Sequence, residues 1–334
     1  MTAAPVSVGA RAAARQSRGP RRVRRTVALD AGASAPVLRP GIDSDRERSR
    51  PMTQPTPQHA PDRERMRRAL RLGNRVYQDL DYEVGAWLDI DREARVLDAG
   101  CGVGGMATVL AARAGELVAV DLDPEHVRET GERIEEAGLS GSASTRVDDI
   151  TALDDPDGSF DLVWCSRVIH HLPDMLDGVR ELARVAKPGG TVAIREGGFG
   201  FRVLPDEVEI GGRWFEDRLA AAGVGRFAPP RNAENGRTPY PFGWSQLLLD
   251  AGLTGVRGKT FTFDSLSPLT DDEQAWIEFH WRRWLTHDES RAALSDEDAE
   301  VIETLLDPES PHYMFARTDL HLRSATTVYT GVKP

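Results

Sequence analysis

The sequence predicts an α/β fold: a doubly wound, mostly parallel seven-stranded sheet with helices on both faces and a cap insertion. Three observations predict it. Short apolar runs alternate with helical stretches between residues 95 and 195. A glycine-rich turn follows the first of these runs. The alternation breaks once, over residues 197–240, and then resumes.

Ordered structure is expected from about Pro61. Asp62-Arg63-Glu64-Arg65-Met66 places acids in the first turn of a helix, whose apolar face uses residues 70, 72, 76 and 77. A second helical piece, Tyr82 to Leu88, leads into the strand at 95–98. Helix 104–114 follows, then strand Leu117–Val120, which ends in Asp121. Pro124 to Ala137 reads as helix and 144–148 as strand. Asp161–Cys165 is an apolar strand, Pro173–Val185 a helix, Lys187-Pro188-Gly189-Gly190 a turn and Thr191–Arg195 the fifth strand. Strands this continuously apolar belong to a parallel sheet buried on both faces. Residues 197–245, rich in glycine, proline and aromatics, read as a cap over the sheet. Helix 242–251, strand 256–263, helices 271–287 and 295–306 and a strand at about 320–330 complete the pattern.

Composition narrows the function classes. With 334 residues and 40% hydrophobic side chains, the chain can bury one large core or two modest ones. No apolar run has spanning length, so no membrane span is expected. Residues 1–51 hold eleven arginines against Asp30, Asp43, Asp45 and Glu47, giving +7; the remainder carries −18. A body that acidic is poorly suited to nucleic acid. Residues 1–60, Arg-rich and without hydrophobic periodicity, are expected to be disordered, with Met52 an alternative start. Cys101 and Cys165 fall in core segments, which fits a reducing cytoplasm rather than a disulfide scaffold, and no residue cluster has metal-ligand spacing.

The glycine turn is the most informative segment. In Leu97-Asp98-Ala99-Gly100-Cys101-Gly102-Val103-Gly104-Gly105 the glycines let a ligand lie against bare backbone. Their spacing is not the G-x-G-x-x-G of dinucleotide sites. Asp98, at the strand end, would repel a pyrophosphate but meet an ammonium. A cofactor joining an amino acid to a nucleoside fits better than one with two phosphates.

Together these pieces resemble the class I S-adenosylmethionine-dependent methyltransferases of the ubiquinone and menaquinone type, over about residues 75–200. The resemblance rests on Val96–Gly102, Val120-Asp121-Leu122-Asp123, Asp149-Ile150, Phe160–Val163 through Val168-Ile169-His170-His171-Leu172, and Leu182–Gly190. Beyond residue 200 the chain is more weakly similar to actinobacterial small-molecule methyltransferases, through Pro241-Phe242-Gly243-Trp244 and Leu306-Asp307-Pro308. The resemblance implies a Rossmann-like fold and S-adenosylmethionine as cofactor. It implies that Asp98 and the backbone of Gly100 and Gly102 hold the methionine part. Asp121, with Leu122 beside it, accepts the ribose hydroxyls, and Asp149 and Ile150 flank the adenine. The Ser166-Arg167 segment passes near the sulfonium.

The acceptor side is less determined. Three residues are candidates for a catalytic base: Glu196 at the end of the fifth strand, and His170 and His171 after the fourth. His171 also suits a structural role, and Glu196 an ion pair with Arg195 or Arg213. Some of Trp214, Phe215, Tyr240, Phe242, Trp244, Trp276, Phe279, Trp281 and Trp284 are expected to line an apolar acceptor pocket, and Tyr77 and Tyr82 either to close over the cofactor or to pack. The expected partner is a small molecule of apolar or aromatic character, in secondary metabolism; oligomeric state stays open. Three alternatives stand beside this. One is C-methylation of a prenyl diphosphate with Glu196 as base and Arg226, Arg231 and Arg237 on the diphosphate. The others are nucleic-acid methylation, against which Ser166-Arg167-Val168-Ile169 lacks the Asn/Asp-Pro-Pro-aromatic motif, and cofactor binding without catalysis.

Overall fold

The computed structural model describes residues 60–226 and 240–334. The Arg-rich extension, Phe227, Arg231 and Arg237 lie outside the described residues, and the side chain of Arg226 is not described.

Seven strands form one sheet: β1 Arg95–Ala99, β2 Glu116–Asp121, β3 Ala143–Val147, β4 Phe160–Ser166, β5 Ala186–Arg202, β8 Thr254–Leu266 and β9 His321–Val332. Their order is β3-β2-β1-β4-β5-β9-β8. The first five pair in parallel, and β9 runs antiparallel to both β5 and β8. A short hairpin, β6 Glu207–Val208 with β7 Gly212–Arg213, stands apart. The strand order reverses between β1 and β4, so their carboxyl ends open onto the crevice where open α/β sheets bind ligands.

Strand side chains alternate between two cores, as the pleat requires. Leu97, Val118, Val163 and Val192 point to one, closed by the helices Met175–Val185 and Trp244–Asp250. Val96, Leu117, Trp164 and Ala193 point to the other, closed by Gln78–Trp87, Gly105–Ala111 and Pro124–Glu136. Helices therefore cover both faces, as the sequence predicts. A third core, with Val203, Leu204, Phe215, Trp276, Trp281, Ile302 and Leu305, lies beyond the sheet. Leu72 and Val76 of the first helix, Ala60–Val76, join it.

This third core revises the expected insertion. Residues 197–202 are not cap but the continuation of β5, paired with β9 as Gly198↔Thr326, Phe199↔Ala325 and Arg202↔Arg323. The cap is assembled from separate stretches: the first helix, the helix Phe215–Arg226, and the helices Asp271–Thr286 and Asp296–Leu306. Long strands carry it. β5, β8 and β9 have 17, 13 and 12 residues and extend past the five- to seven-residue strands beside them.

Where β5 leaves the sheet body its register shifts against β9 between Arg195 and Gly198, a β-bulge. Gly198 has φ +117°, and a Cβ there would collide with the Ala325 carbonyl. The bulge thus needs glycine, and it sets the direction of its neighbour Glu196.

Candidate functional site

At the carboxyl end of β1, Asp98 is 2% exposed, and its Oδ2 makes no hydrogen bond. Burial is the main reason that its pKa is raised to about 7; Asp121 and Asp81 add to the rise and Arg195 opposes it. The turn after it is held to β2: the amides of Gly100 and Cys101 both donate to the Val120 carbonyl, at 2.8 and 2.9 Å. Gly100 has φ +85°, and a Cβ there would lie 2.5 Å from Val168 Cγ2. The loop after β4 therefore packs directly on this turn.

Asp121 ends β2. Its Oδ2 accepts from the Gly102 amide at 2.9 Å, and its Oδ1 from the Asp123 amide at 3.0 Å and faces His126 Nδ1 at 3.2 Å. Burial pushes the carboxyl up, but His126 and the two amides outweigh it and hold the pKa below its usual value. Asp123, not Asp121, caps the following helix, accepting from Glu125 N at 2.9 Å. Leu122 is half-buried between them. Past the end of β3, Asp149 Oδ1 accepts from the amide and hydroxyl of Thr151, and Ile150 is buried.

The end of β4 brings the remaining residues together. Ser166 is half-buried; Arg167 follows with φ +58°, its amide donating to the Arg195 carbonyl at 2.9 Å. One turn of 3₁₀ helix, Ile169–His171, comes next. Glu196, 2% exposed, reaches it from β5: Oε1 accepts from the Ile169 amide at 2.9 Å and Oε2 lies 2.8 Å from His170 Nδ1. His170 and His171 are exposed, with ring centroids 3.9 Å apart.

Thus Glu196 pairs with His170, not with Arg195 or Arg213. Arg195 is itself buried: it donates to Asp81 at 2.7 Å and lies 5.1 Å from the centre of the Trp164 ring. Of the aromatics, Phe215, Trp276 and Trp281 are buried in the cap core, whereas Trp214 and Phe242 are exposed. Tyr77 packs edge-on against Phe263 and Trp276, at 5.0 and 5.5 Å, and Tyr82 is exposed.

Four features carry no sequence signal: the Asp81–Arg195 pair, His126 beside Asp121, the unusual backbone of Arg167, and His280. The last is driven by burial to a pKa of about 4 and fixed by the Trp276 carbonyl, 2.8 Å from Nδ1. Only a three-dimensional arrangement links residues 114 positions apart, as in the first of these.

The sequence has counterparts among known proteins. Residues 97–194 match the family model described as "Methyltransferase domain". The chain is 41% identical over 103 residues to a chloroplastic tocopherol O-methyltransferase of Arabidopsis thaliana, covering 30% of this chain and 29% of that one. It is 34% identical over 127 residues to methyltransferase GfsG of Streptomyces halstedii, covering 38% and 43%. Residues 97–194 are thus similar to a methyltransferase domain. The cofactor of such a domain is S-adenosylmethionine. The chain spans less than half the length of these curated relatives. Among solved structures, the YcgJ protein of Bacillus subtilis aligns over 77% of this chain and 98% of its own, with a TM-score of 0.44 and 18% identity.

The domain's residues fit that cofactor. A buried carboxylate oxygen without a donor is costly, and an ammonium group supplies the missing one. Asp98 lies two residues before Gly100, where the turn has no Cβ. Among the described residues, no helix is long and apolar enough to cross a membrane, and no group of three or more ligating side chains could hold a metal.

Proposed function

We propose that this chain is an S-adenosylmethionine-dependent methyltransferase whose acceptor is a small molecule of apolar or aromatic character. The observation that carries the reading is Asp98: a buried carboxylate with an unpartnered oxygen, beside a glycine turn, at the switch point of the sheet. Asp98 would hold the ammonium and the Gly100–Gly102 backbone the rest of the methionine. Asp121, preorganised by two amides, would take the ribose, with Leu122 beside it. Asp149 and Ile150 would flank the adenine, and Ser166 would lie near the sulfonium. When bound, the cofactor supplies an electrophilic methyl group.

The protein then contributes alignment and, for an acceptor that must lose a proton, a base. Glu196 and His170 form a carboxylate–imidazole pair. In it, Glu196 fixes the ring through Nδ1 and stabilises the positive charge that the ring takes on with a proton. This gives His170 the base role and Glu196 the positioning role. His171, its ring tilted at 45° against that of His170 with centroids 3.9 Å apart, would help hold the ring in place. The names of the relatives support a small-molecule acceptor; both are methyltransferases, and one acts on tocopherol.

Isothermal titration with S-adenosylmethionine tests the reading. Saturable binding is expected, lost in Asp98→Ala. A folded protein that shows no binding up to about 1 mM, where an interaction is worth only about 4 kcal/mol, would overturn it.

A further inference from the structure

We infer that His126 limits the ribose contacts of the cofactor site: it fills one acceptor position of Asp121, so that this carboxylate takes one ribose hydroxyl and not two; this rests on the methyltransferase reading. The reasoning is a count of hydrogen bonds. A carboxylate offers about four acceptor positions, two on each oxygen. Asp121 has committed three of them. Oδ2 accepts from the Gly102 amide at 2.9 Å, while Oδ1 accepts from the Asp123 amide at 3.0 Å and meets His126 Nδ1 at 3.2 Å. One position remains, on Oδ2, whereas a ribose diol brings two donors. The resemblance implies both hydroxyls on Asp121; the histidine five residues on changes the count.

In this contact the ring is the donor. The Asp121 carboxyl is held ionised, its pKa below the usual value, so it has no proton to offer, and two acceptors at 3.2 Å would repel. Nδ1 therefore carries the hydrogen. A neutral imidazole donates from Nδ1 as well as a charged one does, so the position is filled wherever Asp121 is ionised. Burial alone would lower the histidine's pKa; Asp121, with Asp123 beyond it, outweighs both burial and the nearby Arg67 and keeps it above its usual value.

The helix Pro124–Glu136 places the ring. It starts at the Asp123 cap, so His126 lies in its first turn. The backbone dipole disfavours a positive ring at that end, and the Asp121 carboxylate supplies the compensating charge. One turn on, the Thr130 hydroxyl donates to the Gly102 carbonyl at 2.8 Å, and Thr130 Cα lies 3.0 Å from where a Gly104 Cβ would be. One helix face thus carries His126 to Asp121 and Thr130 to the glycine turn. Gly102 is gripped at both polar atoms, its amide by Asp121 and its carbonyl by Thr130. Neither the carboxylate nor the helix can move aside for a second hydroxyl without releasing the turn. The Asp121 and His126 side chains are only 16% and 19% exposed, so water competes little for their contact.

The test titrates the full chain calorimetrically, at one pH, with S-adenosylhomocysteine and with its 2′-deoxy and 3′-deoxy analogues. In wild type one analogue should bind within about twofold of the parent and the other about tenfold or more weaker, as for the loss of one hydrogen bond to a charged acceptor. His126→Leu frees Oδ1 for the second hydroxyl, and both analogues should then weaken about tenfold. His126→Asn, whose side-chain amide donates from near the Nδ1 position, should return the unequal pattern. His126→Ala serves if the leucine variant fails to fold. The inference is overturned if the two analogues lose affinity equally in wild type, if neither loses any, or if the leucine variant keeps the unequal pattern. It is also overturned if a folded leucine or alanine variant no longer binds S-adenosylhomocysteine, since the histidine would then hold the carboxylate in place rather than limit it. If wild type fails to bind S-adenosylhomocysteine, the methyltransferase reading fails instead.

Discussion

Replacing Asp98 by asparagine should make the cofactor-free protein more stable at pH 8 while removing cofactor binding. Asp98 is buried, and its pKa is raised from 3.8 to about 7. In the unfolded chain it titrates near the ordinary value. Between pH 4 and 7 the folded state therefore holds the extra proton. Stability from this group is full below the unfolded pKa and is lost as pH rises through the folded one. A shift of about 3 units corresponds to about 4 kcal/mol at pH 8. Asparagine carries no such penalty but leaves a polar amide buried, which returns about 2 kcal/mol of cost, so a net gain of about 2 kcal/mol is expected. For a domain of this size that is roughly 5 °C in Tm. Urea unfolding of both proteins from pH 5 to 8 measures it. The difference should grow with pH and flatten above about 7, and S-adenosylhomocysteine should stabilise wild type alone. A variant less stable at pH 8 than wild type, or a difference that grows toward acid, would refute the reasoning. In wild type, cofactor affinity should fall as pH drops below about 7, because the protonated carboxyl no longer attracts the ammonium.

Three further outcomes are expected. Asp81→Asn leaves Arg195 buried without its ion partner and should cost about 3–5 kcal/mol in urea unfolding; a loss below about 1 kcal/mol would contradict the pair's importance. Gly100→Ala forces a Cβ at φ +85° to within 2.5 Å of Val168 Cγ2. It should lower stability by about 1–3 kcal/mol and weaken cofactor binding in the same calorimetric assay. Glu196→Gln keeps an acceptor for the Ile169 amide but loses the charged contact to His170. Its stability should drop by about 1 kcal/mol and its turnover by about 100-fold, with cofactor affinity unchanged; turnover within threefold of wild type excludes the pair from proton transfer.

Most of the parallel half of the sheet was legible because β1, β2 and β4 are apolar runs with a turn signal at their ends; β3, Ala143-Ser144-Thr145-Arg146-Val147, is legible mainly from the alternation around it. Two kinds of feature were not. The extension of β5 reads Gly197-Gly198-Phe199-Gly200-Phe201-Arg202, and glycine at three of six positions looks like loop. It is strand because β9 offers a partner along its length, which no local pattern reports. The second kind is pairing at a distance. Asp98 and Asp121 could be read from their positions at strand ends, since a local motif places each. The partner of Glu196 could not: the bulge turns it to His170, 26 residues away, rather than to the adjacent arginine. His280 sits in an aromatic helix where a core histidine is the ordinary expectation, and only burial with the Trp276 carbonyl gives it a fixed, neutral form.

Legible and hidden residues differ in how far apart in the chain their partners lie. The turn, Asp121 and Asp149 all lie inside residues 97–194, in consecutive strand–turn segments that one stretch of chain can encode. The aromatic contacts beyond it join Tyr77, before that stretch, to Trp276 and, through His280, to Phe201, after it. The two halves meet at adjacent residues of β5. Arg195 binds Asp81 of the N-terminal helices and acts on the charge of Asp98, while Glu196 binds the loop that carries His170. The carbonyl of Arg195 also holds the amide of Arg167. A shift of the bulge would therefore move Arg195, the loop that carries His170 and the backbone of Arg167 together. That is a physical reason for two glycines in the bulge: it fixes one backbone path on which all three depend.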